Sequence, residues 1–120
     1  MERLKAIVNR DNTAGDDAER LALFYIIANN KELYERIEEI YDFKTRSILL
    51  SRNQDNYNEW SSGAQALLKL AFHLYNPAIC KYPINEIFKS LDQENTTTAI
   101  KAIRLKYNDI DEALIQEIIK

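Results

Sequence analysis

Apolar positions recur at three- and four-residue spacing along most of this chain, the signature of amphipathic helices. Leu4, Ile7 and Val8 share one face of a first helix that ends near Arg10. Asp11 to Gly15 interrupts the pattern with small and polar residues. Asp16 or Asp17 then offers a side-chain oxygen to the free amides of a second helix, and Glu19 suits its positive end. From Leu21 to Ala28 this helix is apolar on every side, as expected of the central element of a domain. A buried strand would look the same over that length. The aspartate cap and the lack of a partner strand favour the helix.

Beyond Asn29 and Asn30 the spacing predicts a helix over Lys31 to Tyr41, with Leu33, Ile37 and Ile40 inward and Glu32 paired with Arg36. Glu35, Glu38, Glu39 and Asp42 gather on its other side. Lys44 to Leu50 predicts a shorter helix. Ser51 to Ser62 is the most polar stretch, an exposed loop or irregular helix, yet it carries Tyr57 and Trp60. Ser61 or Ser62 caps a second core helix over Gly63 to Tyr75, which Asn76 and Pro77 end. Pro83 suits the first turn of a short helix that points Ile84, Ile87, Phe88 and Leu91 inward. Asp92 caps the next, with Ala99, Ile100, Ile103 and Tyr107 on its apolar face. Ile110 to Lys120 reads as a last amphipathic helix. The expected fold is all-α: one compact bundle of about six to eight helices over residues 1–120, with Leu23, Phe24, Ile27, Leu67, Leu70, Phe72 and Leu74 supplying most of the core.

Composition narrows the class. Hydrophobic residues make up 46% of the 120, enough for one core. The net charge of -3 is a mild acidic excess, whereas nucleic-acid binders are more often basic. Lys101 and Arg104 form a basic stripe too small to imply phosphate binding. One cysteine allows no internal disulfide, and no apolar run follows Met1 to Lys5 to suggest a signal peptide. A cytoplasmic protein that neither spans a membrane nor binds nucleic acid is expected. The two glycines and the lack of Asn-Gly or Asp-Gly turns disfavour a sheet-rich fold.

No reaction centre is legible. A zinc cluster needs several thiolates or imidazoles, and the chain has only His73 and Cys80. That pair could form a base and a nucleophile, but Pro77 lies between them and no catalytic motif surrounds either. Glycines at 15 and 63 alone cannot build a phosphate loop. No cofactor or metal is expected, and the chain reads as non-enzymatic. Arg20, drawn inward by the apolar helix it precedes, reads as half of a buried ion pair, with a ligand-gripping arginine as the alternative. Candidate partner-binding residues remain: Tyr57 and Trp60, of types favoured as interface anchors, and the acidic group Glu35, Glu38, Glu39 and Asp42, which would suit a basic partner. Both aromatics could equally fold back onto the core.

Four stretches together resemble a family of small helical proteins of unknown function from Gram-positive bacteria and their phages. They are Asp17 to Ile27, Ile40 to Phe43, Ser61 to Asn76 and Leu91 to Asn95, within a resemblance spanning roughly residues 4 to 107. The loop Asn12 to Gly15 departs from the family, and the tail Ile110 to Lys120 lies outside the resemblance. It carries no catalytic residue to this chain. In size, acidity and phage-like family context the chain also looks like phage anti-defence proteins, among them the small inhibitors of defence-associated sirtuins, bacterial enzymes that deplete NAD. The resemblance implies a protein partner, a bacterial defence enzyme of that kind, bound and inhibited without chemistry of the chain's own. The rival expectations are an anti-CRISPR-like or nucleic-acid-mimicking regulator, and a small helical enzyme with an unrecognised site.

Overall fold

The computed structural model describes residues 2–50 and 59–107. Among them are helices α1 (Glu2–Asp11), α2 (Ala18–Ala28), α3 (Lys31–Glu35), α4 (Ser62–Tyr75), α5 (Ile84–Phe88) and α6 (Gln93–Lys106). Between α3 and α4 lie one 3-10 turn, Ile37–Glu39, and a two-stranded antiparallel hairpin of β1 (Tyr41–Asp42) and β2 (Ser47–Ile48). The fold is mostly α, and no helix among the described residues is long and apolar enough to cross a membrane.

Helix α2 is the hub. Leu21, Ala22, Leu23, Phe24, Ile26 and Ile27 are all buried, so the all-round apolar segment does occupy the centre. It packs against α4 and α6, which also touch one another, and against α1 and α3. Both long helices run antiparallel to it. The Arg20 guanidinium at its start reaches Tyr75 at the end of α4, and Lys106 at the end of α6 approaches Glu19. Lys106 also donates to the Leu74 carbonyl at 2.7 Å, tying the ends of α4 and α6 together. Every residue expected to build the core is buried: Leu23, Phe24, Ile27, Leu67, Leu70, Phe72 and Leu74.

Local capping sets the helix starts. Of the two candidate aspartates, Asp17 caps α2, accepting the Arg20 amide at 3.2 Å. Ser61, Asp92 and Asn30 cap α4, α6 and α3 in the same way. Glu32 adds to the field that favours the Arg36 charge, as its spacing predicts, but its carboxylate is bonded elsewhere. It accepts from the backbone and hydroxyl of Ser61, fastening α3 to the start of α4.

The largest departure from expectation lies between residues 36 and 50. The helix predicted to run to Tyr41 breaks at Arg36 (φ -115°, ψ 29°), and the one predicted over Lys44 to Leu50 is replaced by the hairpin. Two local causes are visible. The Asp42 carboxylate takes the amides of Lys44 and Thr45, a turn that competes with helix. Arg46 then adopts φ 56°, in the left-handed region that no helix tolerates.

Smaller corrections concern the face each helix buries. Ile84, expected inward, is 74% exposed, and Ile87 carries the packing of α5. Ile100 and Tyr107 are also exposed. Helix α6 buries Ala99 and packs Ile103 against the core as expected, and adds Thr98, Ala102 and Leu105. The helix expected over Ile110 to Lys120 lies outside the described residues.

Phe24 and Phe72 are both fully buried. Truncating either to alanine should cost about 3–5 kcal/mol. The exposed Ile100→Ala change should stay within about 0.5 kcal/mol. Urea denaturation of the three variants checks this, and equal midpoints would contradict the assignment of the core.

Candidate protein-docking face

The aromatic core continues outward to one face of the molecule. Phe24 meets the buried Tyr41 ring edge-to-face at 5.0 Å, and Tyr41 meets Phe43 in the same way at 5.0 Å. Phe43 is half-buried, and the Arg10 guanidinium from α1 lies over it at 3.9 Å. Arg10 also pairs with Glu38 of the 3-10 turn. One helical row away, Arg3 stands over Tyr34 of α3 at 5.1 Å. The face is therefore built from α1, α3 and the hairpin, with arginines laid on aromatic rings.

Two grooves meet at Arg10 and Phe43. The larger is an open groove of about 750 Å³ lined by Arg10, Glu38, Asp42, Phe43, Lys44 and Leu49. The smaller, about 310 Å³, runs between Ile7, Tyr34, Glu35 and Ile37. Arg10 and Phe43 form a wall common to both.

The hairpin is held to the helices by a buried carboxylate. Asp11, at the end of α1, has a side chain with no solvent exposure. It accepts from Thr13 Oγ1 at 2.6 Å, Tyr41 OH at 2.7 Å, and Arg46 Nε and Nη2 at 3.1 and 3.0 Å. Burial pushes this carboxyl up, but the hydrogen bonds from Arg46, Thr13 and Tyr41 together hold it below its ordinary value. Arg20 closes the other side. It donates to Tyr41 OH, Asp17 Oδ2, the Arg46 carbonyl and Tyr75 OH at 2.8–3.1 Å. Burial works against its charge, and the bonds to Tyr41 and Asp17 more than offset that, so its pKa is raised. Tyr41, between Asp11 and Arg20, is pushed up to about 12, chiefly by burial and then by the adjacent carboxylate. Of the two readings of Arg20, the structure bears out the ion pair, on Asp17.

Sequence reasoning gave Asp11 no part beyond ending a helix. The available signal was an aspartate one turn after Ile7 and Val8, in register with the buried side of α1.

The acidic group disperses. Glu38 is held by Arg10, whereas Glu39 turns to Arg36, which donates to it at 2.7 and 2.9 Å. Asp42 is committed to the backbone amides of Lys44 and Thr45, and these bonds hold its pKa down. Glu35 approaches Lys31 at 3.9 Å. Glu35, Glu38 and Asp42 thus border the two grooves, and Glu39 does not. Trp60 is only 4% exposed and packs in the core, so it is no exposed anchor. The Arg36 guanidinium covers its ring at 4.0 Å. Tyr57 lies outside the described residues.

His73 and Cys80 are neighbours, and the hydrogen bond between them runs to the Cys80 backbone and not to its thiol. His73 Nδ1 is 2.6 Å from the Cys80 carbonyl oxygen, which makes Nδ1 the proton donor and leaves it no lone pair for the thiol. The Cys80 thiol is buried, and burial pushes its pKa up, away from the reactive thiolate.

The profile of a family of unknown function, DUF6075, matches residues 1–117. The chain belongs to that family. No curated protein and no solved structure matches it. The family match takes in the loop Asn12 to Gly15 and runs to residue 117, so it also includes most of the tail that the sequence resemblance left out. This loop joins α1 to α2 and contributes Thr13 to the Asp11 cluster.

The ordinary carboxyl value for Asp11 is 3.8, and its folded value is lower. Its ionisation therefore stabilises the fold fully above the unfolded value, and that stability is lost as pH falls through the folded one. Asp11→Asn should lower the melting temperature at neutral pH and depend less on pH below about 4 than the parent chain. Parallel acid titrations with the same slope in both would refute this. Trp60→Ala should cost about 3–5 kcal/mol, as expected for a buried ring. A melting temperature unchanged from the parent would contradict its place in the core.

Proposed function

We propose that this protein acts by contact: it is a phage-type anti-defence protein that binds a bacterial NAD-depleting defence-associated sirtuin and inhibits it, without catalysis of its own. The observation that carries the reading is the face of α1, α3 and the hairpin. Exposed cations there lie on aromatic rings continuous with the core. Arginines and aromatics held in place before binding are the usual energetic centres of protein interfaces. An interface of standard size takes about 800 Å² from each partner. The described chain, with an accessible surface of 6808 Å², can supply that from one side. The sequence resemblance supports the choice of target, and the family itself has no assigned function. In this reading the protein works in the cytoplasm of the infected bacterium.

The test is direct. Purified protein titrated into a defence sirtuin with NAD should slow NAD loss and saturate at a fixed stoichiometry, with the two proteins co-eluting from a sizing column. Undiminished NAD consumption together with separate elution would overturn the choice of target.

A further inference from the structure

The charge left open on the docking face is opposite to the one its acidic residues suggest. Each carboxylate bordering the grooves already has a partner within the chain: Glu38 has Arg10, Asp42 has two backbone amides, and Glu35 has Lys31. The cations are less committed. Neither Arg3 nor Lys44 has a carboxylate in ion-pair contact among the described residues, although Lys44 lies in the field of the Asp42 carboxylate. Among the described residues, Arg3 rests on the Tyr34 ring. Lys44 stands at the hairpin tip, on the wall of the larger groove, beside Phe43 and Leu49. Arg10 is half-exposed, and its contacts are one glutamate and one ring face.

We propose that this face docks an acidic, apolar segment of a protein partner, with Arg10 as its central anchor. The inference rests on the reading that the protein works by binding another protein, and it names the chemistry of that partner. Apolar side chains enter the two grooves on either side of Phe43. Carboxylates of the segment meet Lys44 at one end and Arg3 at the other. Between them a carboxylate competes with Glu38 for the Arg10 guanidinium, which has five N–H donors in a planar fork and can serve both. Arg10 forms a wall of both grooves, so a segment lying across its guanidinium where it covers the Phe43 ring spans the two. Glu38 then acts as an internal competitor that sets affinity and disfavours weakly acidic segments.

Three fluorescein-labelled synthetic peptides test this with the full chain. They share alternating leucine and phenylalanine, and carry glutamate, glutamine or lysine between them. The glutamate peptide should bind about tenfold or more tighter than the lysine peptide, with glutamine between, and added salt should narrow the gap. Lys44→Glu, at an exposed tip, and Arg10→Ala should each weaken the glutamate peptide by about fivefold or more, and Glu38→Gln should strengthen it. Melting curves confirm that the variants are folded, and Lys44→Glu carries the test if Arg10→Ala is not. Equal or reversed affinity for the lysine peptide, no binding by any of the three, or indifference to both substitutions overturns the proposal. These measurements need no sirtuin, so the two readings fail separately. An inhibited enzyme with the wrong peptide order removes only this surface chemistry. The right order with an uninhibited enzyme removes only the target.

Discussion

Placing the Asp11 carboxylate in the interior is the costly step on which the rest of this architecture depends. An ion of that size loses several kcal/mol of hydration on burial, and only well-aimed donors restore it. Thr13, Tyr41 and Arg46 supply them from the loop before α2, from β1 and from the hairpin turn. Each donor lies on a different piece of chain, so satisfying one carboxylate fixes the positions of three segments. Two-residue strands joined by a turn have little stability of their own. The hairpin persists because Arg46 is held at both ends, its guanidinium on Asp11 and its carbonyl on Arg20.

That anchorage explains why an exposed face can be rigid. Phe43 would be a mobile surface aromatic on an isolated hairpin. Here it leans on Tyr41, whose ring lies against Phe24 in the hub helix and whose hydroxyl is tied to Asp11 and Arg20. Arg10 and Phe43 then hold one another from α1 and the hairpin. Side chains restrained in this way lose little freedom on binding, which is where much of the cost of association falls. The face is a direct extension of the core.

The helical pattern and the caps made most of this legible in advance. Helices α2 and α4 combine long apolar runs with Asp17 and Ser61 at their starts, and period and cap agree there. The segment from Arg36 to Leu50 misled because its apolar spacing is compatible with helix, whereas its turn chemistry is not. Asp42, two residues before Lys44, and Thr45 and Ser47 around Arg46 are the residues of a side-chain-capped turn. The acidic group was visible, but its pairing was not. Helical spacing collected Glu35, Glu38, Glu39 and Asp42 on a helix that ends at Glu35. Once the chain turns, Glu38 and Glu39 are delivered to different arginines. Trp60 stood in a polar stretch, and only the fold shows that Arg36 and the core enclose it.

The hairpin links the assembly of the face to the stability of the fold. The hairpin is joined to the bundle both by the buried Tyr41 ring on Phe24 and by polar bonds at Asp11 and Arg20, while α2, α4 and α6 are joined through apolar packing. Two-residue strands contribute little stability of their own, so local opening of the hairpin needs only these ties to break, at lower free energy than opening of the core. Opening the hairpin removes Phe43 and Lys44 from the docking face and leaves the central helices packed. A partner that requires both residues therefore binds only the closed form, and its binding opposes that local opening. Under the proposed docking, the Asp11 carboxylate bears on affinity without touching the partner, because it sets the fraction of molecules whose face is assembled. Substitutions in this cluster that weaken binding then act through the population of the closed hairpin, and those at Arg10 or Lys44 act through contact.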